Sequence, residues 1–220
     1  MIAENLARVR KSIPAGVRLV AVSKTQPAQA VREAYAAGQR DFGENYAQEW
    51  RDKAAALVDL PELVWHFIGA LQTNKVKYLV PPAGGPRVAF VHTVDRLGLA
   101  QEISRRAQRT GTPMRVLLEV NVAGEASKSG CAPGELPALA RAASELPGLA
   151  LCGLMCIPPA EGDPRPHFRA LRQLRDGLEP RLPELSMGMS ADYEAAIAEG
   201  STMVRVGSAI FGARAAQPST

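Results

Sequence analysis

The chain has 220 residues, 46% of them hydrophobic and 22% charged, with a formal net charge of +4. That is enough apolar material for one sizeable core, and Lys and Arg are interspersed with Asp and Glu rather than gathered into a run, which argues against a nucleic-acid partner. The opening "MIAENLARVRKSI" is charged throughout and no apolar stretch approaches the roughly 18 residues of a membrane span, so a soluble, cytoplasmic protein without a secretory leader or membrane contact is expected.

In chain order, an N-terminal helix over about residues 2 to 11 precedes the first β-like run, "VRLVAVS" (17–23). Seven further runs follow: "DFGEN" (41–45), "LVWHFIG" (63–69), "VAFVHTV" (88–94), "RVLLEVN" (115–121), "LALCGLM" (149–155), "ELSMG" (184–188) and "MVRVGSA" (203–209). Between them, Leu136, Leu139, Ala140, Ala143 and Leu146 recur at helical spacing, as do Phe168, Leu171, Leu174 and Leu178; each set makes one apolar stripe suited to lying on a sheet. Pro27 fits a first helical turn, Asp95 is placed to cap the helix after the fourth run, and Gly38 and Gly200 are placed to close helices. Strands alternate with helices from end to end without a Ser/Gly-rich linker. The pattern predicts one α/β domain over residues 1–220, a closed (β/α)8 barrel (TIM barrel) slightly smaller than the typical size of roughly 250 residues, with an extra N-terminal helix. An open doubly wound sheet is the alternative, and it lacks its usual sign, because no G-x-G-x-x-G opens a helix after the first strand.

Cys131, Cys152 and Cys156 cannot all pair with one another, and no second Cys or His cluster stands at zinc-like spacing. Cys152 and Cys156 lie in the apolar "LALCGLMCIPP", where a small hydrophobic role suffices. Neither a structural disulfide nor a metal is expected.

In a barrel, functional groups gather where the strands end and the following loops begin. Lys24 stands at such a place and shares a strand face with Val20 and Val22. An ammonium desolvated there loses its proton more readily and becomes an amine nucleophile able to form a Schiff base with an aldehyde; a lysine that snorkels to water is the plain alternative. At the other end of the chain, Gly207 and Ser208 close the eighth strand, where glycine allows backbone N–H groups to approach an anion. Ser190 in "SMGMS" leads out of the seventh, and the loops after strands seven and eight are where barrels frequently bind phosphate. Arg205 shares the face of Gly207, so it points inward and needs a partner, either a ligand acceptor or an interior carboxylate such as Glu119.

A Schiff-base lysine, a phosphate cradle and an inward arginine together describe a site for pyridoxal 5′-phosphate (PLP). The segments "VAVSKTQP", "FGENYAQE", "WHFIGALQTNK", "HTVDRL", "EVNVAGEASKSG", "GLMCIPP" and "LSMGMSADYEAAIAEGSTMVRVGSAIFGAR" resemble the YggS/PROSC family, the PLP homeostasis proteins, over about residues 17 to 214. The resemblance implies a barrel like the N-terminal domain of alanine racemase, with PLP held on Lys24 as an internal aldimine. It implies Arg205 at the pyridine nitrogen, Ser190, Gly207 and Ser208 around the phosphate, and Asn45 and His66 near the cofactor; a hydrogen-bonded core histidine is an equal reading of His66. Lys128, in "EASKSG", reads as a solvated loop lysine that could also relay the cofactor.

An arginine at the ring nitrogen only donates, so the ring stays unprotonated and is a weaker electron sink than one paired with aspartate. Alanine racemases draw a second base, a tyrosine, from an additional β domain, which is expected to be absent here because the sequence ends shortly after its eighth strand. Tyr35, Tyr78 and Tyr193 fall in helical segments and only Tyr46 lies near a strand end. The expected function is therefore storage or delivery of PLP by a monomer, without turnover, with apo forms of PLP-dependent enzymes as potential recipients. The alternatives are a PLP enzyme such as an amino-acid racemase, and a phosphosugar barrel using Lys24 as an aldolase-type Schiff base.

Overall fold

In the computed structural model, which describes residues 1–81 and 86–212, eight parallel strands close into a barrel in sequence order, the last pairing with the first. They are β1 (Arg18–Val22), β2 (Asp41–Glu44), β3 (Val64–Phe67), β4 (Phe90–Val94), β5 (Met114–Glu119), β6 (Leu149–Met155), β7 (Glu184–Ser186) and β8 (Met203–Val206). All eight expected strands are present. The closed topology excludes the open doubly wound alternative.

Helix α1 (Ile2–Lys11) precedes the barrel, buries Leu6 and Val9, and is tied to it when Asn5 donates to the Ile210 carbonyl at 3.1 Å. Helices α2 (Ala28–Ala36), α3 (Ala47–Ala56) and α4 (Val76–Leu79) follow the first three strands. Then come α5 (Leu97–Gln108), α6 (Leu136–Ser144), α7 (Arg165–Asp176), α8 (Tyr193–Ala198) and α9 (Ser208–Phe211). Pro27 is the N-cap of α2, its ring fixing the angle at which the chain enters the helix. Gly38 and Gly200 stand just past α2 and α8 with φ of +87° and +94°, the left-handed closure that glycine adopts without strain.

Two expected details differ. Asp95 does not cap α5, whose N-cap is Arg96; its carboxylate instead accepts from the Arg96 guanidinium at 2.6 Å. The eighth strand ends at Val206 rather than 209, because Gly207 and Ser208 already turn into the short α9. Residues 213 and 214, the end of the terminal motif, lie outside the described residues.

Strand alternation divides the core in two. Leu19, Ala21, Phe42 and Phe67 belong to the outer layer, the same buried cluster that takes in the stripes Leu136–Leu139–Ala140–Ala143 of α6 and Phe168–Leu171 of α7. Phe90, Leu117, Met155 and Met203 fill the barrel itself. Among the described residues no helix is long and apolar enough to cross a membrane, and no group of His, Cys, Asp and Glu is arranged to hold a metal ion. The three cysteines are free, and burial pushes the thiols of Cys131 and Cys156 up to about 11 and 12, which keeps them protonated and unreactive near neutral pH.

Candidate functional site

A cavity of about 310 Å³ opens at the C-terminal ends of the strands. Lys24, Asn45, Ser190, Arg205, Gly207 and Ser208 all line it, together with Val22, Ile68, Ile157, Met189 and Phe211. Six of the seven residues expected to contact a cofactor are thus brought together from loops or strands at four places in the sequence. The seventh is not. His66 is fully buried inside the barrel, its ring stacked on Phe90 with centroids 4.7 Å apart, and the next inward position of its strand direction, Ile68, lines the cavity in its place.

Lys24 follows β1 by two residues, half-buried at the cavity wall. The backbone on either side of it is clamped. Ser23 donates its hydroxyl to Glu44 at 2.7 Å, and its carbonyl accepts from the Lys53 ammonium at 2.6 Å. The Thr25 amide donates to Glu49, while Lys53 bridges Glu44 and Glu49 at 2.8 and 2.6 Å. Thr25 itself has φ of +63°, a conformation that a β-branched residue takes only when its surroundings impose it. Burial drives the Glu44 carboxyl up and the adjacent Lys53 opposes that shift.

Asn45 is held by a close approach. A Cβ on Gly69 would stand 2.1 Å from the Asn45 carbonyl oxygen, so only glycine fits there, and the Gly69 carbonyl is fixed in turn by the Thr93 hydroxyl at 2.7 Å. The Asn45 Oδ1 atom is buried and has no hydrogen-bond partner among the described residues. A buried polar atom left so at a cavity wall is satisfied when a ligand supplies the missing group.

Arg205 enters from β8, paired in register with Val20 of β1. Its Nη1 donates to the Ser186 carbonyl at 2.6 Å and to the Ser186 hydroxyl at 2.7 Å, and Nη2 donates to the Cys156 carbonyl at 2.9 Å. None of these bonds uses Nε. Glu119, expected as a candidate partner, forms no ion pair with Arg205; its carboxyl is raised to about 7, by burial first and by Asp95 second, with Arg205 opposing. The anion side of the cavity is built by the turn after β8, where the Gly207 amide donates to the Ser190 hydroxyl at 3.2 Å. The amides of Ser208 and Ala209 open α9 and so lack carbonyl partners within it.

The donor set fits PLP: an amine for its aldehyde, hydroxyl and backbone N–H donors for its phosphate, a guanidinium for its ring, and the orphaned Asn45 Oδ1. Lys128 does not line the cavity. It is half-buried, donating to the Pro158 carbonyl at 2.8 Å and pairing with Glu125 at 2.7 Å, so the loop after β5 is tied to the loop after β6.

Sequence reasoning missed the residues behind the site. Ser186 and His92 lie inward and form a hydrogen-bonded group with His66, and Lys53 with its two glutamates supports Lys24 from outside the barrel. The first group was within reach of strand alternation, since Ser186 and His92 each fall within an expected strand and so on one of its two faces. The second had no such signal, because Lys53 looks like any charged helix residue.

A sequence profile described as "Alanine racemase, N-terminal domain" matches residues 1–215. A "Pyridoxal phosphate homeostasis protein" of Pseudomonas aeruginosa is 53% identical, the alignment covering 97% of this chain and 96% of that protein. One of the same name from Escherichia coli K12 is 46% identical, with 97% of each covered. Among solved structures, PipY of Synechococcus elongatus PCC7942 determined with PLP bound is 40% identical, with a TM-score of 0.88 over 96% of this chain and 100% of that one. An alanine racemase of Clostridium difficile 630 is 13% identical, with a TM-score of 0.77 over 99% of this chain and 57% of that one, a likeness of fold alone.

Proposed function

Because the chain belongs to the pyridoxal phosphate homeostasis proteins, which share the barrel of the alanine racemase N-terminal domain, we propose that it binds PLP covalently through Lys24 and stores or delivers it without turnover. The observation that carries this reading is the convergence of Lys24, Arg205, Ser190 and the Gly207–Ser208 turn on one cavity, with the unpartnered Asn45 Oδ1 beside them.

The bound cofactor supplies an aldehyde that condenses with an amine and a pyridine ring that withdraws electrons. Lys24 is the amine. Ser190, Gly207 and Ser208 hold the phosphate, and their fixed placement means that little freedom is lost on binding. Arg205 faces the ring nitrogen, and since guanidinium donates and does not give up its proton, that nitrogen stays unprotonated. Such a ring is a weak electron sink, which disfavours deprotonation of an amino acid at Cα.

Racemisation also needs a base on each face of the substrate. None of the four tyrosines lines the cavity. Tyr35 hydrogen-bonds Glu62 and Tyr193 lies at 2.8 Å from the Ser12 hydroxyl, both on the outside of the barrel, and Tyr46 is exposed. This supports a carrier over a racemase; we further propose that the carrier is a cytoplasmic monomer of one domain and that its recipients are apo forms of PLP-dependent enzymes.

Incubation of the PLP-loaded protein with each of the twenty amino acids in deuterium oxide tests this. A carrier leaves Cα–H unexchanged in all of them while restoring activity to an apo PLP enzyme mixed with it. Deuterium at Cα of any one amino acid makes the protein an enzyme instead.

A further inference from the structure

A single file of polar side chains crosses the interior of the barrel from the cavity to its opposite end. Arg205 donates to the Ser186 hydroxyl at 2.7 Å; Ser186 Oγ lies 2.9 Å from His92 Nδ1; His92 Nε2 lies 2.9 Å from His66 Nδ1; and His66 Nε2 lies 2.9 Å from Asp41 Oδ1. Asp41 also accepts from Arg18 at 3.1 Å, where the chain reaches the half-exposed N-terminal end of the barrel. Ser186, His92 and His66 are completely buried.

The direction of every bond follows from the two ends. A carboxylate only accepts, so His66 carries its proton on Nε2. A neutral His66 then offers a lone pair at Nδ1, which makes His92 the Nε2–H tautomer as well. His92 Nδ1 is left as an acceptor, and the Ser186 hydroxyl donates to it. With its hydrogen so committed, Ser186 Oγ turns a lone pair toward Arg205, which can only donate. Every donor points from Arg205 toward Asp41. Burial is the main force against a charge on either imidazole; Arg18 acts the same way on both, Arg115 on His66 and Arg205 on His92, and at His66 these outweigh Asp41, which favours the charged form.

We propose that Ser186, His92 and His66 are positioning residues that hold Arg205 in its place at the cofactor ring, through one directional hydrogen-bond chain terminated by Asp41. The inference rests on the assignment of Arg205 to the PLP ring under Proposed function. Arginine has four torsions, and a fixed lone pair at Ser186 removes the freedom of the guanidinium to turn away from the cavity. A serine whose hydrogen had no committed acceptor would rotate and withdraw that lone pair.

Two measurements test it. The first uses PLP-free protein, in which nitrogen-15 spectra of the three histidines report tautomers directly, with His167 as the reference outside the chain. The Nε2–H form is expected for both His66 and His92 at neutral pH. Protonation at Nδ1 of either one, alone or together with Nε2, overturns the chain. The second compares His92→Asn with His92→Leu for PLP affinity and for the position of the visible absorption band. Asparagine can present an acceptor near the site of Nδ1, whereas leucine fills more of the space without one. Packing alone ranks leucine as the milder change; the chain ranks asparagine as the milder, with leucine and Ser186→Ala each weakening PLP by about tenfold and displacing the band. Equal effects, or a milder leucine, overturn the positioning role even if the tautomers are as expected. A wild-type protein that takes up no PLP refutes the reading of the site, and with it this role for Arg205, while the tautomers still report on the chain itself.

Discussion

Lys24 and Arg205 line the cavity from neighbouring strands, and the proposed function makes the first the cofactor's covalent anchor and the second the fixed cation beyond its ring. Lys24→Ala is expected to abolish covalent attachment and to leave the circular dichroism spectrum unchanged, since the apolar layer of Phe90, Leu117, Met155 and Met203 lies below it and is untouched; a collapsed spectrum contradicts this. Arg205→Ala loosens PLP and moves its absorption band, and an unaltered band and affinity count against the ring contact. Glu119 supplies a pH effect with a definite sign. Its carboxyl is held at about 7 in the fold, above the range of an unfolded glutamate, so the stability it lends is complete below the unfolded value and is lost as pH rises through 7. Glu119→Gln removes that dependence, so it should gain on the wild type by about 2 kcal/mol between pH 5 and pH 8 in denaturant titrations. A difference that stays constant across those pH values contradicts the assignment. Lys24, Ser190, Arg205, Gly207 and Ser208 could be read from the sequence because each stands at or just past a strand end, a position that alternation and turn residues mark. The depth of His66 could not be read that way. Alternation gives the face of a strand and not the layer, and His66 sits one layer below the cavity.

At the level of elements, the β1–α2 connection is the most heavily supported part of the site. Lys53 reaches from α3 to three oxygens, those of Ser23, Glu44 and Glu49, and so fixes residues 23 and 25 on either side of Lys24. Lys53→Met keeps the length of the side chain and removes the cation, which leaves the Glu44 carboxylate buried without a counter-charge. The expected loss is about 3 to 5 kcal/mol in stability, together with weaker PLP attachment as residues 23 to 25 loosen. A loss under about 1 kcal/mol in the same measurement shows that the cluster is not what holds this turn. The eight strands were legible because each is a short apolar run bounded by turn residues. Asp95 was misplaced because a side chain of the right type two residues ahead of a helix need not be its cap, and here the neighbouring Arg96 takes both the N-cap position and the carboxylate. The clamp around Lys53 was invisible in the sequence, since it depends on α3 folding back against the end of β1.

Across the whole molecule, the barrel combines an apolar shell with a polar file through its centre, and the cavity lies where that file ends. The closed sheet leaves no edge strand, which suits a protein expected to work as a monomer. Sedimentation at micromolar concentration is expected to give the 23.5 kDa of one chain, and a stable dimer contradicts that expectation. The fold was legible as a whole from eight alternating units; the central polar file was not, because its members come from β2, β3, β4, β7 and β8 and meet only when the barrel closes. The central claim, a covalent PLP site on Lys24, is tested most directly by reducing the PLP-loaded protein with borohydride and mapping the phosphopyridoxyl group by peptide mass spectrometry. A single adduct on Lys24, with loss of the visible band, is the predicted result. An adduct on another lysine, or none, contradicts it.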